Sequence, residues 1–253
     1  MICIVASTAD IASRNIAENL LSITKWKEKG NIYERDDMLL YFIDDEHIFH
    51  DDVDKEIEAL GYTIDAIIFA SRHASVAKKK TLSIHAIGNF GKAEYGGRDK
   101  TLIPCSPILM RSALHILKEM APKEYQVCYE ATHHGPYLEK PCFFIEVGST
   151  EAEWRDKKAC RVIAEAIMQM EEKKYDVAIG IGGGHYAPRF TDIALESEIA
   201  FGHIAAKYAV EHLNEEMLKK MIDATPHCKK VCFHGKHERI EEATKKMGLL
   251  SVS

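Results

Sequence analysis

Apolar runs of strand length alternate with amphipathic stretches of helix length along all 253 residues of this chain, and that alternation restricts the fold more than any total does. ICIVA opens as a buried strand, and a helix is expected from Ile11 to Leu21 with Thr8 or Asp10 as its N-cap. MLLYFIDDEHIFH reads as a hairpin with Asp44 and Asp45 between its arms, and residues 51–60 as a helix stopped by Gly61. AIIFA, TLSIHAI, YQVCYEA, CFFIEV, DVAIGIGGG, KKVCFHG and LLSV read as strands, and EIAFGHIAA as a further apolar run. Helices are predicted at 107–120, with Pro107 in the first turn, and at 151–170, 214–224 and 236–246. This order predicts a three-layer α/β/α sandwich with a mixed, mostly parallel sheet. No linker or repeat divides the chain, so residues 1–253 are expected to form one domain.

No stretch approaches the roughly 18 apolar residues of a membrane span, so no membrane partner is expected. With a strand opening at Ile2, no signal peptide is expected either. Seven cysteines, an odd number lying partly inside strand runs, point to reduced thiols and a cytoplasmic protein. A net charge of −6 argues against DNA or any non-specific nucleic-acid coating, while leaving room for a local basic patch.

The chemistry concentrates where strands end, which is where open α/β sheets bind ligands. Ser71, Arg72 and His73 follow AIIFA; Thr132, His133 and His134 follow YQVCYEA; Glu146 and Ser149 close CFFIEV; His185 and Tyr186 follow the glycines. His85 lies in TLSIHAI and His203 in AFGHIA, from a total of thirteen histidines. Imidazoles and carboxylates are zinc ligands, and a catalytic zinc lowers the pKa of bound water to about 7. The same residues could equally supply one histidine base in a polar cleft. Neighbouring side chains on an extended strand point to opposite faces, so only one of His133 and His134 is expected to reach a given ion.

Gly182, Gly183 and Gly184 begin a match to a dinucleotide fingerprint, but Pro188 is read as preventing a helix from opening there, and no P-loop Lys-Ser/Thr follows. These glycines are instead read as letting backbone amides approach a substrate. HCKKVCFHGKH holds Cys228, Cys232, His234 and His237, but its spacing matches no structural zinc template. Lys78, Lys79, Lys80, Lys92 and Arg98 flank the His85 strand and could line a basic rim facing phosphates.

SRHAS, TLSIHAIGNFG, EATHHGP, IEVGST with EAEW, GIGGGHYAP and AFGHIA, in that order, resemble the motif blocks of the archaeal- and plant-type D-aminoacyl-tRNA deacylases. The resemblance implies hydrolysis of the ester joining a D-amino acid to tRNA, zinc dependence, and a core similar to peptidyl-tRNA hydrolases and phosphorylases. On this reading zinc is held by a subset of His73, His133, His134, His185, His203 and Glu146, and His133, His134, Thr132 and Glu146 carry catalysis. Gly182 to Gly184 contact the carbonyl or amino group, Thr132, Ser149 and Tyr186 the ribose, and Lys78–Lys80, Lys92 and Arg98 the acceptor stem. A monomer is favoured. The alternatives are a metal-independent esterase of peptidyl-tRNA-hydrolase type and a non-catalytic nucleotide or amino-acid binder.

Overall fold

The computed structural model describes residues 1–252. Its strands are β1 (Ile2–Ser7), β2 (Lys27–Lys29), β3 (Ile32–Arg35), β4 (Met38–Ile43), β5 (Ala66–Ala74), β6 (Thr81–His85), β7 (Gly88–Asn89) and β8 (Thr101–Leu102). They continue as β9 (Gln126–Tyr129), β10 (Cys142–Ser149), β11 (Asp176–Gly182), β12 (Ile199–Ala205), β13 (Cys228–His234) and β14 (Leu250–Val252). The helices are α1 (Ile11–Ile23), α2 (Val53–Ala59), α3 (Pro107–Met120), α4 (Glu151–Trp154), α5 (Lys157–Gln169), α6 (Pro188–Glu196), α7 (Glu215–Asp223) and α8 (Glu238–Lys246).

The strands divide between an eight-stranded mixed sheet, ordered β2-β3-β4-β1-β5-β10-β6-β9, a four-stranded parallel sheet, ordered β12-β11-β13-β14, and the small antiparallel pair β7-β8. Local alternation does not reveal this division, because it cannot tell which strands become neighbours. In the large sheet β4, β1, β5 and β10 run parallel, and β6 returns antiparallel beside β10. Side chains such as Ile4, Ile68 and Phe143 point to the face covered by α1, α3 and α5, while Val5, Phe69 and Phe144 point to the face covered by α2. That is the three-layer arrangement. α3 packs on β6 of the large sheet and on β12 of the small one, and Phe190, Phe201 and Cys232 join the same core as Ile4.

Three boundaries differ from the sequence expectation. The hairpin is β3–β4, turning at Asp36 (φ +49°). The EHIFH segment instead leaves the sheet as a 3-10 turn that tucks His47 against it, with Nε2 3.3 Å from the Val5 carbonyl. The helix expected at 151–170 breaks at Arg155–Asp156, because Asp156 accepts from the amides of Lys158 and Ala159 and starts a new helix. A helix does open at Pro188: position N1 needs no amide, and Ala187 takes a left-handed conformation (φ +42°) to enter it.

Candidate active site

The polar strand ends meet at one edge of the large sheet. Pairing of β5 with β10 sets His73 beside Gly148 and Ser71 beside Glu146, and pairing of β10 with β6 sets Phe144 beside His85. A Cβ on Gly148 would come within 2.7 Å of His73 Cβ, so glycine permits this approach. Glu130 follows β9 directly, and His133 and His134 come next in the same loop. His134 sits in the left-handed region (φ +44°). The chain there is not extended, and both imidazoles turn to the same side, with ring centroids 4.3 Å apart. That corrects the expectation that only one reaches the site. His185 arrives from the small sheet, after β11.

Two buried carboxylates form the centre, Glu130 at 1% and Glu146 at 3% exposure. His185 Nε2 is 2.9 Å and His73 Nδ1 3.1 Å from Glu130, and His133 Nε2 is 3.8 Å away. His73 Nδ1 and His85 Nε2 each lie 3.6 Å from Glu146. Despite this closeness, both Glu130 oxygens and His85 Nε2 lack a partner in hydrogen-bond geometry. The donor atoms crowd together without pointing at one another.

The outer nitrogens are all held. Nδ1 of His85, His133 and His134 contacts the carbonyls of Ala86 (3.1 Å), Ala131 (2.8 Å) and Gly135 (2.6 Å). A carbonyl can only accept, so Nδ1 carries a proton in all three, and a ring that is neutral turns a lone pair on Nε2 inward, as His133 and His134 do. His185 Nδ1 is hydrogen-bonded to the Tyr208 hydroxyl and His73 Nε2 to the Tyr186 hydroxyl, both at 3.1 Å. Burial, then the charge of His85, pushes His134 down to about 4. Burial and the neighbouring histidines also push His133 well below the ordinary imidazole range. For His73 and His85 burial acts the same way, but Glu146 and Glu130 outweigh it and the net shift is upward. Burial alone would raise Glu146, yet His73 and His85 hold it far below the usual carboxylate range, and Glu130 is lowered as well.

Three sets of donors each fall within 4.8 Å: His85, His133 and His134; His73, Glu130 and His185; and His85, Glu130 and Glu146. Ligands of a tetrahedral zinc at about 2.1 Å stand roughly 3.4 Å apart, close to the separations here. With fixed tautomers and orphaned carboxylate oxygens, these residues fit a divalent cation.

The remaining expected residues are placed differently. His203 takes no part in this cluster: its Nε2 meets the Ile103 carbonyl at 2.9 Å and its Nδ1 the Thr132 hydroxyl at 3.1 Å. Burial pushes its pKa down to about 4. Thr132 is itself buried and also accepts from the Ile204 amide, so both residues join the two sheets instead of facing a ligand. His203→Ala is therefore expected to destabilise the fold by roughly 3 kcal/mol in denaturant titrations while leaving metal stoichiometry unchanged.

Gly182 and Gly183 are packed against the end of β13: an added Cβ would meet the His234 carbonyl at 2.2 Å and His234 Nδ1 at 2.8 Å respectively, whereas Gly184 faces open space. Ser149 is buried, donating to the Lys79 carbonyl at 2.6 Å. Lys79 Nζ lies 5.5 Å from the Tyr186 ring, Lys80 lies over Tyr125, Arg98 over Tyr137, and Lys78 is exposed. In the second histidine run Cys232 is buried in β13, and His237 Nε2 lies 3.2 Å from the His234 carbonyl. Sequence reasoning missed Glu130 and left His85 outside its ligand set. Glu130 precedes His133 by three residues at a strand end, and that was the available signal.

His73, His133, His134, Glu146 and His185 line a cavity of about 540 Å³, whose walls also include Arg72, Glu46, Ile48, Asn89, Lys92 and Tyr95. Among the described residues no helix is long and apolar enough to cross a membrane.

Known proteins share this chain's sequence and fold. A family model described as D-aminoacyl-tRNA deacylase matches residues 60–252. Proteins named D-aminoacyl-tRNA deacylase are similar along most of their length. The one from Thermococcus kodakarensis is 43% identical over 234 residues, covering 88% of this chain and 86% of its own. That from Pyrococcus furiosus is 42% identical over 248 residues, covering 94% and 92%. A crystal structure of a conserved protein of unknown function superposes with a TM-score of 0.93 at 34% identity, covering 99% of this chain and 94% of that one. With the family model matching most of the chain, and relatives above 40% identity aligned along nearly all of it, the chain belongs to the D-aminoacyl-tRNA deacylase family.

Proposed function

We propose that this enzyme hydrolyses the ester of D-aminoacyl-tRNA to free D-amino acid and tRNA, with a zinc ion held at the histidine–glutamate cluster. The observation that carries this reading is the clustering of five imidazoles and two buried carboxylates, one with both oxygens orphaned, against the wall of an open cavity. His73, Glu130 and His185, one of the donor sets that fall within 4.8 Å, would hold the metal and leave His133 and His134 free beside it. When bound, zinc supplies Lewis acidity, making water nucleophilic near neutral pH and polarising a carbonyl.

The chain's own residues prepare that reaction. Glu130 and Glu146 stay ionised and keep negative charge in the cluster. His133 and His134 stay neutral near pH 7, so their inward Nε2 atoms can accept a hydrogen bond from the attacking water without first losing a proton. The cavity has the volume of a small-molecule site and admits an aminoacyl group with its ribose. Lys92 on the cavity wall and the exposed Lys78, Lys79, Lys80 and Arg98 are assigned to tRNA phosphates, which predicts binding that weakens with salt. We also infer a cytoplasmic protein, the expectation that a tRNA substrate supports.

The test is release of D-tyrosine and L-tyrosine from charged tRNA, after chelation and after zinc is restored. D-tyrosine release that falls on chelation and returns with zinc supports the reading. Activity indifferent to chelation would hand water activation to a histidine base alone. His133→Ala and His134→Ala are each expected to lower kcat at least about 100-fold while tRNA affinity stays within about twofold. Wild-type rates in both variants would remove the assignment.

A further inference from the structure

Two tyrosine rings near the cavity stand in solvent, Tyr95 at 66% and Tyr208 at 52% exposure, and Tyr208 is the one hydrogen-bonded to the cluster, through His185. Its mounting is rigid. Lys207 donates to the Gly183 carbonyl at 2.9 Å, Ala209 to the Ala206 carbonyl at 2.7 Å, and Ala206, Ala209 and Leu213 are buried beneath the turn. The chain thus holds a flat aromatic face in water, one hydrogen bond away from a residue touching Glu130. A hydroxyl needed only to orient His185 would not require the ring to stand in solvent.

We infer that Tyr208 has two separable functions: its hydroxyl positions His185, and its exposed ring stacks on the nucleobase next to the scissile ester. The inference rests on the deacylase reading and deepens it. An aminoacyl ester lies on the terminal ribose of tRNA, so its carbonyl cannot reach the histidine cluster unless the base on that ribose lies at the mouth beside it. Every base has a π-face, and unpaired nucleotides bind proteins by stacking on aromatic rings. Tyr208 is the exposed ring bonded to the cluster itself, and the exposed Lys207 beside it supplies positive charge for the adjoining phosphate. Tyr208 acts on the chemistry through His185, so it is a positioning residue there and a binding residue for the base.

The two functions separate with Tyr208→Phe and Tyr208→Ala. With D-tyrosyl-tRNA, Tyr208→Phe should lower kcat several-fold and leave KM unchanged. Tyr208→Ala should lower kcat by the same factor and also raise KM about tenfold, the usual scale for one lost stacking partner. The binding arm uses uncharged tRNA, either intact or trimmed of its terminal nucleoside. Wild type and Tyr208→Phe should bind the intact form about tenfold more tightly, and Tyr208→Ala should bind both alike. Equal KM values for the two variants, or no preference of the wild type for intact tRNA, would overturn the stacking role. Unchanged kcat in Tyr208→Phe would overturn the positioning role. A wild type that binds intact tRNA preferentially but releases no D-tyrosine would sink the deacylase reading and leave stacking standing.

Discussion

Glu130→Gln is expected to lower kcat at least about a thousandfold, which corresponds to roughly 4 kcal/mol of barrier. The amide keeps the side chain's size, removes its charge and turns one cation-binding oxygen into a donor NH2. That charge is 1% exposed, lies within 3.1 Å of ring nitrogens of His73 and His185, and has no hydrogen bond to lose. A buried carboxylate without hydrogen bonds is costly to keep, and removing it would ordinarily cost little or even stabilise the fold. His73 and His85 keep Glu146 at 3.6 Å, so the variant's metal-free stability should change by less than about 2 kcal/mol. Bound metal should fall with kcat while tRNA affinity persists. A glutamine variant with more than a tenth of wild-type activity would show that the carboxylate is dispensable.

Zinc at about a hundred times its Kd should stabilise the metal-free protein by roughly 2.7 kcal/mol. For a chain of 253 residues that is a rise in Tm of roughly 5–10 °C, read in a thermal melt with and without chelator. The effect follows from where the donors lie. His73, Glu130 and His185 come from β5, the loop after β9 and the turn after β11, and only the folded chain assembles them. His185→Ala should lose most of the shift, and His203→Ala should keep it despite a lower starting Tm. A wild-type Tm indifferent to zinc would argue that these side chains hold no ion.

Much of the architecture could be read from the sequence: α1, with Asp10 the cap of the two residues offered, α3 opening on Pro107, α7 within residues 214–224, and β1, β5, β6, β10 and β13. What could not be read is non-local. β10 lies between β5 and β6 although long segments separate them, and only that pairing brings Glu146 between His73 and His85. His73 and His203 look alike in sequence, each a histidine at or near the end of an apolar run. What divides them is the Ile103 carbonyl, which occupies one nitrogen of His203, while His73 faces two carboxylates. Glu130 was overlooked because a single acid at a strand end reads as solvated until its surroundings close over it. His134 was misjudged because its left-handed backbone is a tertiary outcome, unusual for a residue other than glycine.

One imidazole is contributed by the smaller sheet, docked through the Ala131 amide on the His185 carbonyl at 2.8 Å and the Thr132 amide on the Ile204 carbonyl at 2.9 Å. A half-synthesised polypeptide still on the ribosome, surrounded by charged adaptors, therefore has no complete set of reactive groups. Hydrolytic competence arrives late in biosynthesis, once the seam between the halves has closed.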